Sequence, residues 1–133
     1  MPAERTYDYA IVRVVPRVER GEQINVGVIL SCVDDTFLDC RIELDTTRLL
    51  ALDAALDVEA VRESLATIAA VCDGGSGAGA IGALTPRERF RWLVSPRSTV
   101  IQMSPVHTGR TADPTAALER LMDSMVRHKP AGA

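Results

Sequence analysis

Residues 24–45 read INVGVILSCVDDTFLDCRIELD, and the pairing of this stretch with itself decides the fold. Two runs of β-branched and apolar side chains flank the polar turn Val33-Asp34-Asp35-Thr36. They predict an antiparallel pair of strands, Ile24 to Cys32 and Phe37 to Asp45. In the second run Leu38, Cys40, Ile42 and Leu44 alternate with Asp39, Arg41 and Glu43, so the even positions form its buried face. Val26, Val28, Leu30 and Cys32 offer the matching face of the first run. Joining the two faces requires pairs 32 with 38, 30 with 40, 28 with 42 and 26 with 44, set by a three-residue turn at 34–36. Cys32 and Cys40 then lie diagonally on one face at about 7 Å between α-carbons, which is marginal for a disulfide.

Working outward, Tyr7 to Val15 (YDYAIVRVV) reads as a strand ended by Pro16, which cannot donate to a ladder. Arg17 to Gln23 reads as the tip of a long hairpin. The first two strands are apolar on both faces, and two explanations fit: a sheet centre covered on both sides, or a face kept for a homodimer. Downstream, a short helical turn is expected around Thr47 to Leu52. Asp57 then caps a helix over 58–72, with Val58, Val61, Leu65, Ile68 and Cys72 at spacings of three and four. Gly74 stops it. Thr85-Pro86-Arg87-Glu88 spells a capping box with proline at the first helical position. That helix runs to about Val94, burying Phe90, Leu93 and Val94 and turning Trp92 and the arginines at 87, 89 and 91 to its other faces. Ser98 to Met103 is a fourth strand, ended by Ser104-Pro105. Asp113-Pro114 opens a last helix with Leu118, Leu121, Met122, Met125 and Val126 on one face. The order β-β-β-α-α-β-α predicts the α+β class, an antiparallel sheet of about four strands with helices packed on it. Residues 1–133 form a single domain, with 1–6 and 128–133 frayed and 73–84 a Gly-rich linker.

Composition narrows the function. The chain has 133 residues and a net charge of −3, which disfavours a polybasic nucleic-acid or membrane binder. Lys129 is the only lysine, so Schiff-base chemistry has no residue within the fold. Cys32, Cys40 and Cys72 are an odd count without a close pair, and buried reduced thiols are expected rather than a disulfide or a metal site. No membrane span and no signal peptide are visible, which points to the cytoplasm. Gly77-Ala78-Gly79-Ala80-Ile81-Gly82 spells GxGxxG, but it follows a helix rather than a strand, and no bound cofactor is expected.

Two polar constellations stand out. Arg20, Glu22 and Asn25 crowd the hairpin tip and the start of the next strand. Arg97, Ser98 and Thr99, with Gln102, Ser104 and His107 beyond them, combine an arginine fork, hydroxyls and the one internal histidine. Nothing in their spacing assigns a catalytic residue.

The two segments carrying these constellations, residues 7–30 (YDYAIVRVVPRVERGEQINVGVIL) and 88–109 (ERFRWLVSPRSTVIQMSPVHTG), resemble the bacterial family catalogued as domain of unknown function 3037. The family has no assigned activity. The resemblance implies a gene often found beside genes for HipA-like kinases, hence a partner or regulator of such a kinase. Gln23 departs from the bulkier residue of the family's RGE-x-x-NVGV motif, which puts an apolar contact at the tip in doubt. The leading expectation is a small cytoplasmic binding or regulatory module acting through a protein partner. The alternative is a phosphoester- or nucleotide-handling enzyme using Arg97, Ser98 and His107.

Overall fold

The apolar alternation of the opening stretch does build a hairpin, and a computed structural model describing residues 3–97 and 99–127 shows how it is completed. One antiparallel sheet contains β1 (Arg5–Val14), β2 (Ile24–Cys32), β3 (Phe37–Ile42), β4 (Ile101–Met103) and β5 (His107–Thr111). The order is β3-β2-β1, and the far edge of β1 is shared by β4 and β5. Four helices pack on the sheet: α1 (Thr46–Leu52), α2 (Val58–Asp73), α3 (Pro86–Val94) and α4 (Pro114–Met125). The class is α+β, and the expected caps are present. Asp57 accepts from Ala60 N, Asp113 from Ala116 N, and Thr85 and Glu88 close a capping box. Asp45 likewise accepts from Arg48 N and starts α1. Each cap satisfies an amide that the helix itself leaves unpaired.

The hairpin register differs from the expected one by a single residue. The turn uses all four residues of Val33–Thr36: one turn of 3-10 helix, then Thr36 in the left-handed region at φ 51°. Cys32 therefore pairs with Phe37, Ile29 with Cys40 and Gly27 with Ile42. The even face of β3 is the one packed on the larger core, as expected, but it matches Ile29 and Ser31 of β2 rather than Leu30 and Cys32. A second irregularity shifts the β1–β2 ladder. Val12 pairs with Gly27 and Arg13 with Asn25, so Val26 is a bulge. The bulge returns Val26 to the face of Ile29, while Val28, Leu30 and Cys32 face the other way. Gly27 follows because a Cβ there would fall 2.5 Å from the Arg41 carbonyl oxygen. Cys32 and Cys40 consequently lie on opposite faces, each with a different helix. Cys72 lies against Cys40 in the larger core, and the neighbouring thiol together with burial pushes the Cys72 thiol well up from its ordinary value.

Both faces of the sheet are covered. On one, α1, α2 and α3 bury Val12, Val14, Ile29, Leu65, Phe90 and Leu93. On the other, α4 alone lays Ala117, Leu118, Leu121 and Met122 over Val28, Leu30 and Cys32. Burying each of the larger of these side chains is worth about 1.5–3 kcal/mol. The two-sided apolar character of β1 and β2 is thus accounted for within one chain.

Three further findings differ from the sequence reading. Arg5 and Thr6, expected to fray, pair with Thr111 and Arg110. His107, which lies past the expected end of the fourth strand at Ser104-Pro105, opens a fifth strand opposite Tyr9. Between the two short strands, at Ile11, Ser104 takes over the ladder. Its Oγ accepts from Ile11 N at 2.8 Å, and its own N donates to Ile11 O at 2.9 Å. Without that hydroxyl the buried Ile11 amide would have no partner.

Arg89 also departs from its expected exposed place on α3. It is buried and donates to the carbonyls of Val71 and Cys72, both at 2.7 Å, and of Leu84 at 3.1 Å. A cation at the carboxyl end of α2 meets the partial negative charge of that terminus and its unpaired carbonyls. A Cβ on Gly74, at φ 76°, would stand 2.9 Å from the Arg89 guanidinium, so glycine there makes room for it. The glycine-rich stretch after α2 folds into 3-10 turns over Ser76–Ala83, closed by Gly75 N donating to Gly82 O. No helix among the described residues is long and apolar enough to cross a membrane.

Candidate functional site

Two openings of opposite chemistry lie near the end of the sheet where β1 leads into the hairpin tip. The first is an apolar groove of about 650 Å³ between α2, the end of α3 and the segment leading into β4. Its lining includes Leu56, Val61, Ile68, Trp92, Val100 and Ile101, and it extends to Pro16 at the foot of the tip. Such a volume is within the range of ligand pockets. Trp92 is 38% exposed at the groove, and the Arg97 guanidinium stacks 4.5 Å from its ring centroid. Arg97 also donates to the Trp92 carbonyl at 3.0 Å and more weakly to that of Leu93. Arg97 and Trp92 together thus form one edge of the groove, a cation stacked on an aromatic ring. Thr99 lines the same groove, its hydroxyl donating to Ile101 O at 2.7 Å. Ser98 lies outside the described residues.

The second opening is a polar cleft of about 380 Å³ on the α4 side, lined by Arg13, Gln23, Asn25, Arg48, Ser124 and Arg127 among others. Asn25 organises it. Its amide nitrogen donates to Met125 O at 3.0 Å, and its oxygen accepts from Arg13 Nε at 3.4 Å. Asn25 therefore anchors the end of α4 to β2 and does not project from the tip.

The remaining candidates are distributed elsewhere. Arg20 and Glu22 form an exposed ion pair at the tip, beyond Gly21 in the left-handed region at φ 71°. His107 stacks against Tyr9 with ring centroids 5.4 Å apart on the β1–β5 edge. It is not among the described residues that line the Arg97 groove. The structure thus brings Arg97 and Thr99 together at one groove, places Asn25 in the polar cleft, and keeps His107 apart from both. Arg13, Arg48 and Trp92 were not candidates in the sequence. Arg13 did carry a signal, as the single charge inside the apolar run Ala10 to Val15.

Elsewhere several charged groups are engaged with one another. Arg87 joins Asp8 at 2.8 Å and Ser31 at 3.1 Å, tying α3 to the sheet. Glu119 of α4 is held by Arg127 and by Arg41 of β3, which keep its carboxyl below the usual range. These links fasten helices; none opens onto the groove.

Residues 9–126 match the family described as Protein of unknown function (DUF3037). The chain belongs to that family. The DUF3037 match takes in the lining of both openings apart from Arg127 at the polar cleft. Comparison with curated proteins and with solved structures returned no match. For this DUF3037 chain the functional reading therefore rests on the openings themselves.

Proposed function

We propose that the chain is a small binding or regulatory module of the cytoplasm that acts through a protein partner, with the apolar groove as its recognition surface. The observation that carries this reading is Trp92, part-exposed at a mainly apolar groove and held in place by Arg97. Interface energy concentrates in such aromatic and arginine anchors. The groove's hydroxyls and carboxylates are mostly engaged internally. Asp57 caps α2, Asp53 accepts from Ala55 N, and Thr67 donates to Glu63 O. What the groove offers is therefore chiefly apolar area and shape, suited to apolar side chains presented by a protein segment. The Arg20–Glu22 tip lies beyond Pro16 in the chain and would form the polar rim. The resemblance of the two motif segments names a HipA-like kinase as the partner to try.

The test is co-expression with the product of the adjacent gene, followed by size-exclusion chromatography. The two should co-elute, and Trp92→Ala and Arg97→Glu should each release the partner while retaining the native circular dichroism. Separate elution of the wild-type proteins, or co-elution undiminished by both variants, would overturn the proposal. The enzymatic alternative draws on Arg97, Ser98 and His107, and it would require His107 to reach a group bound at Arg97. Calorimetry with nucleotides on His107→Ala addresses it separately.

A further inference from the structure

The polar cleft holds two arginines with no acidic partner among the described residues. Arg13 is half-buried and donates only through Nε, to Asn25, so both of its terminal nitrogens are free of partners among the described residues. The Arg48 side chain makes no hydrogen bond or ion pair among them. Arg127, the third arginine of the cleft, differs: Glu43, Glu119 and Asp123 surround it at 3.6, 2.9 and 2.9 Å. None of the described residues lining this cleft is acidic. A neighbouring opening on the far side of Asn25 and Arg48 does include Glu43 and Asp45, which confines any anion to the Arg13 side. In a protein of net charge −3, two arginines left without carboxylates in one cleft are a specific arrangement.

We infer that Arg13 and Arg48, with Gln23 beside them, form a binding site for a phosphoryl group, distinct from the apolar groove. Guanidinium forks match the oxygen geometry of phosphate, and two forks on one group suit a dianion better than a lone carboxylate. Asn25 positions the site: fixed by the Met125 carbonyl, its oxygen holds Arg13 Nε and leaves the outer edge of that fork to the cleft. The lining contains no aromatic ring, and Ile24, Met125 and Val126 are its only apolar side chains among the described residues. The site therefore grips the phosphoryl group and leaves the remainder of a phosphomonoester in water. It shares no residue with the groove, so the two proposals stand or fall separately.

Calorimetric titration of the full chain with inorganic phosphate at low salt tests it. One site is expected, weakened about tenfold by Arg48→Gln and by Arg13→Gln, and unchanged by Arg97→Gln. Arg48 is exposed on α1, so its variant keeps the fold, and a urea titration of each variant checks this. Ribose 5-phosphate and adenosine monophosphate should bind as inorganic phosphate does, because nothing in the cleft grips a base. Lack of binding at millimolar phosphate would overturn the site, as would binding undiminished in the Arg13→Gln/Arg48→Gln double variant. A nucleotide binding far more tightly than ribose 5-phosphate would overturn recognition of the phosphoryl group alone.

Discussion

The apolar groove and the polar cleft open near the same end of the sheet but differ in how their arginines are used. At the groove, Arg97 is consumed by Trp92 and by two carbonyls at the end of α3, and it serves as structure. In the cleft, Arg13 and Arg48 have donors left over. The same residue type thus shapes an apolar surface in one place and leaves a charged one in the other. What decides is whether nearby acceptors already fill the fork. Counting arginines in the sequence cannot make that distinction.

The comparison can be broken most severely at Arg89, which ties together the two helices forming the groove's walls. Arg89→Met leaves the Val71 and Cys72 carbonyls unpaired in the interior, and about 2–4 kcal/mol should be lost in urea unfolding. A loss below 1 kcal/mol would mean that water replaces the guanidinium and that the walls are not tied in this way. Next in size, Trp92→Ala should weaken the partner by about thirtyfold or more, as expected of a central aromatic anchor, with little change in stability. Equal weakening by Arg48→Gln would merge the two openings into one interface.

Much of this architecture was legible in the sequence because local rules suffice for it. The caps at Asp57, Thr85 and Asp113 act within one turn, and the even face of β3 follows from strict alternation. The register was not legible, because it depends on one residue of turn length. Matching the even apolar faces of the two strands asks for a three-residue turn, whereas the turn takes four residues with Thr36 in the left-handed region, and no local signal announces that extra residue. The bulge at Val26 was hidden for a related reason: an apolar residue fits either face of a sheet covered on both sides. In the sequence Arg89 looks no different from Arg87 and Arg91 on the same helix, and only the approach of the α2 terminus distinguishes it. The cleft was invisible because Arg13 and Arg48 come from β1 and α1 and meet only after β2 and α4 are in place.

Three smaller effects sharpen the account away from the openings. Thr36→Asn should stabilise the chain by about 0.5 kcal/mol, since asparagine tolerates a positive φ, and both binding activities should be unchanged. Destabilisation would show that Thr36 makes a contact outweighing its strain. At acid pH, the Glu119 links between α4 and β3 should weaken. Its carboxyl is depressed in the folded state, so the unfolded chain binds the proton more readily and stability falls as pH drops through and below the ordinary carboxylate range. Glu119→Gln should flatten that part of a urea-midpoint profile, and an unaltered slope would assign the acid sensitivity elsewhere. All three cysteines should resist a thiol reagent in native protein and react on unfolding, because each is buried.

The most direct measurement is amide-resolved NMR of the isotope-labelled chain during titration with its co-expressed partner. The account predicts that signals of the groove, around Leu56, Ile68, Trp92 and Thr99, shift or vanish, while those of Arg13, Asn25 and Arg48 stay in place. Perturbation centred on the polar cleft or on the β5 edge at His107, with the groove unmoved, would contradict it.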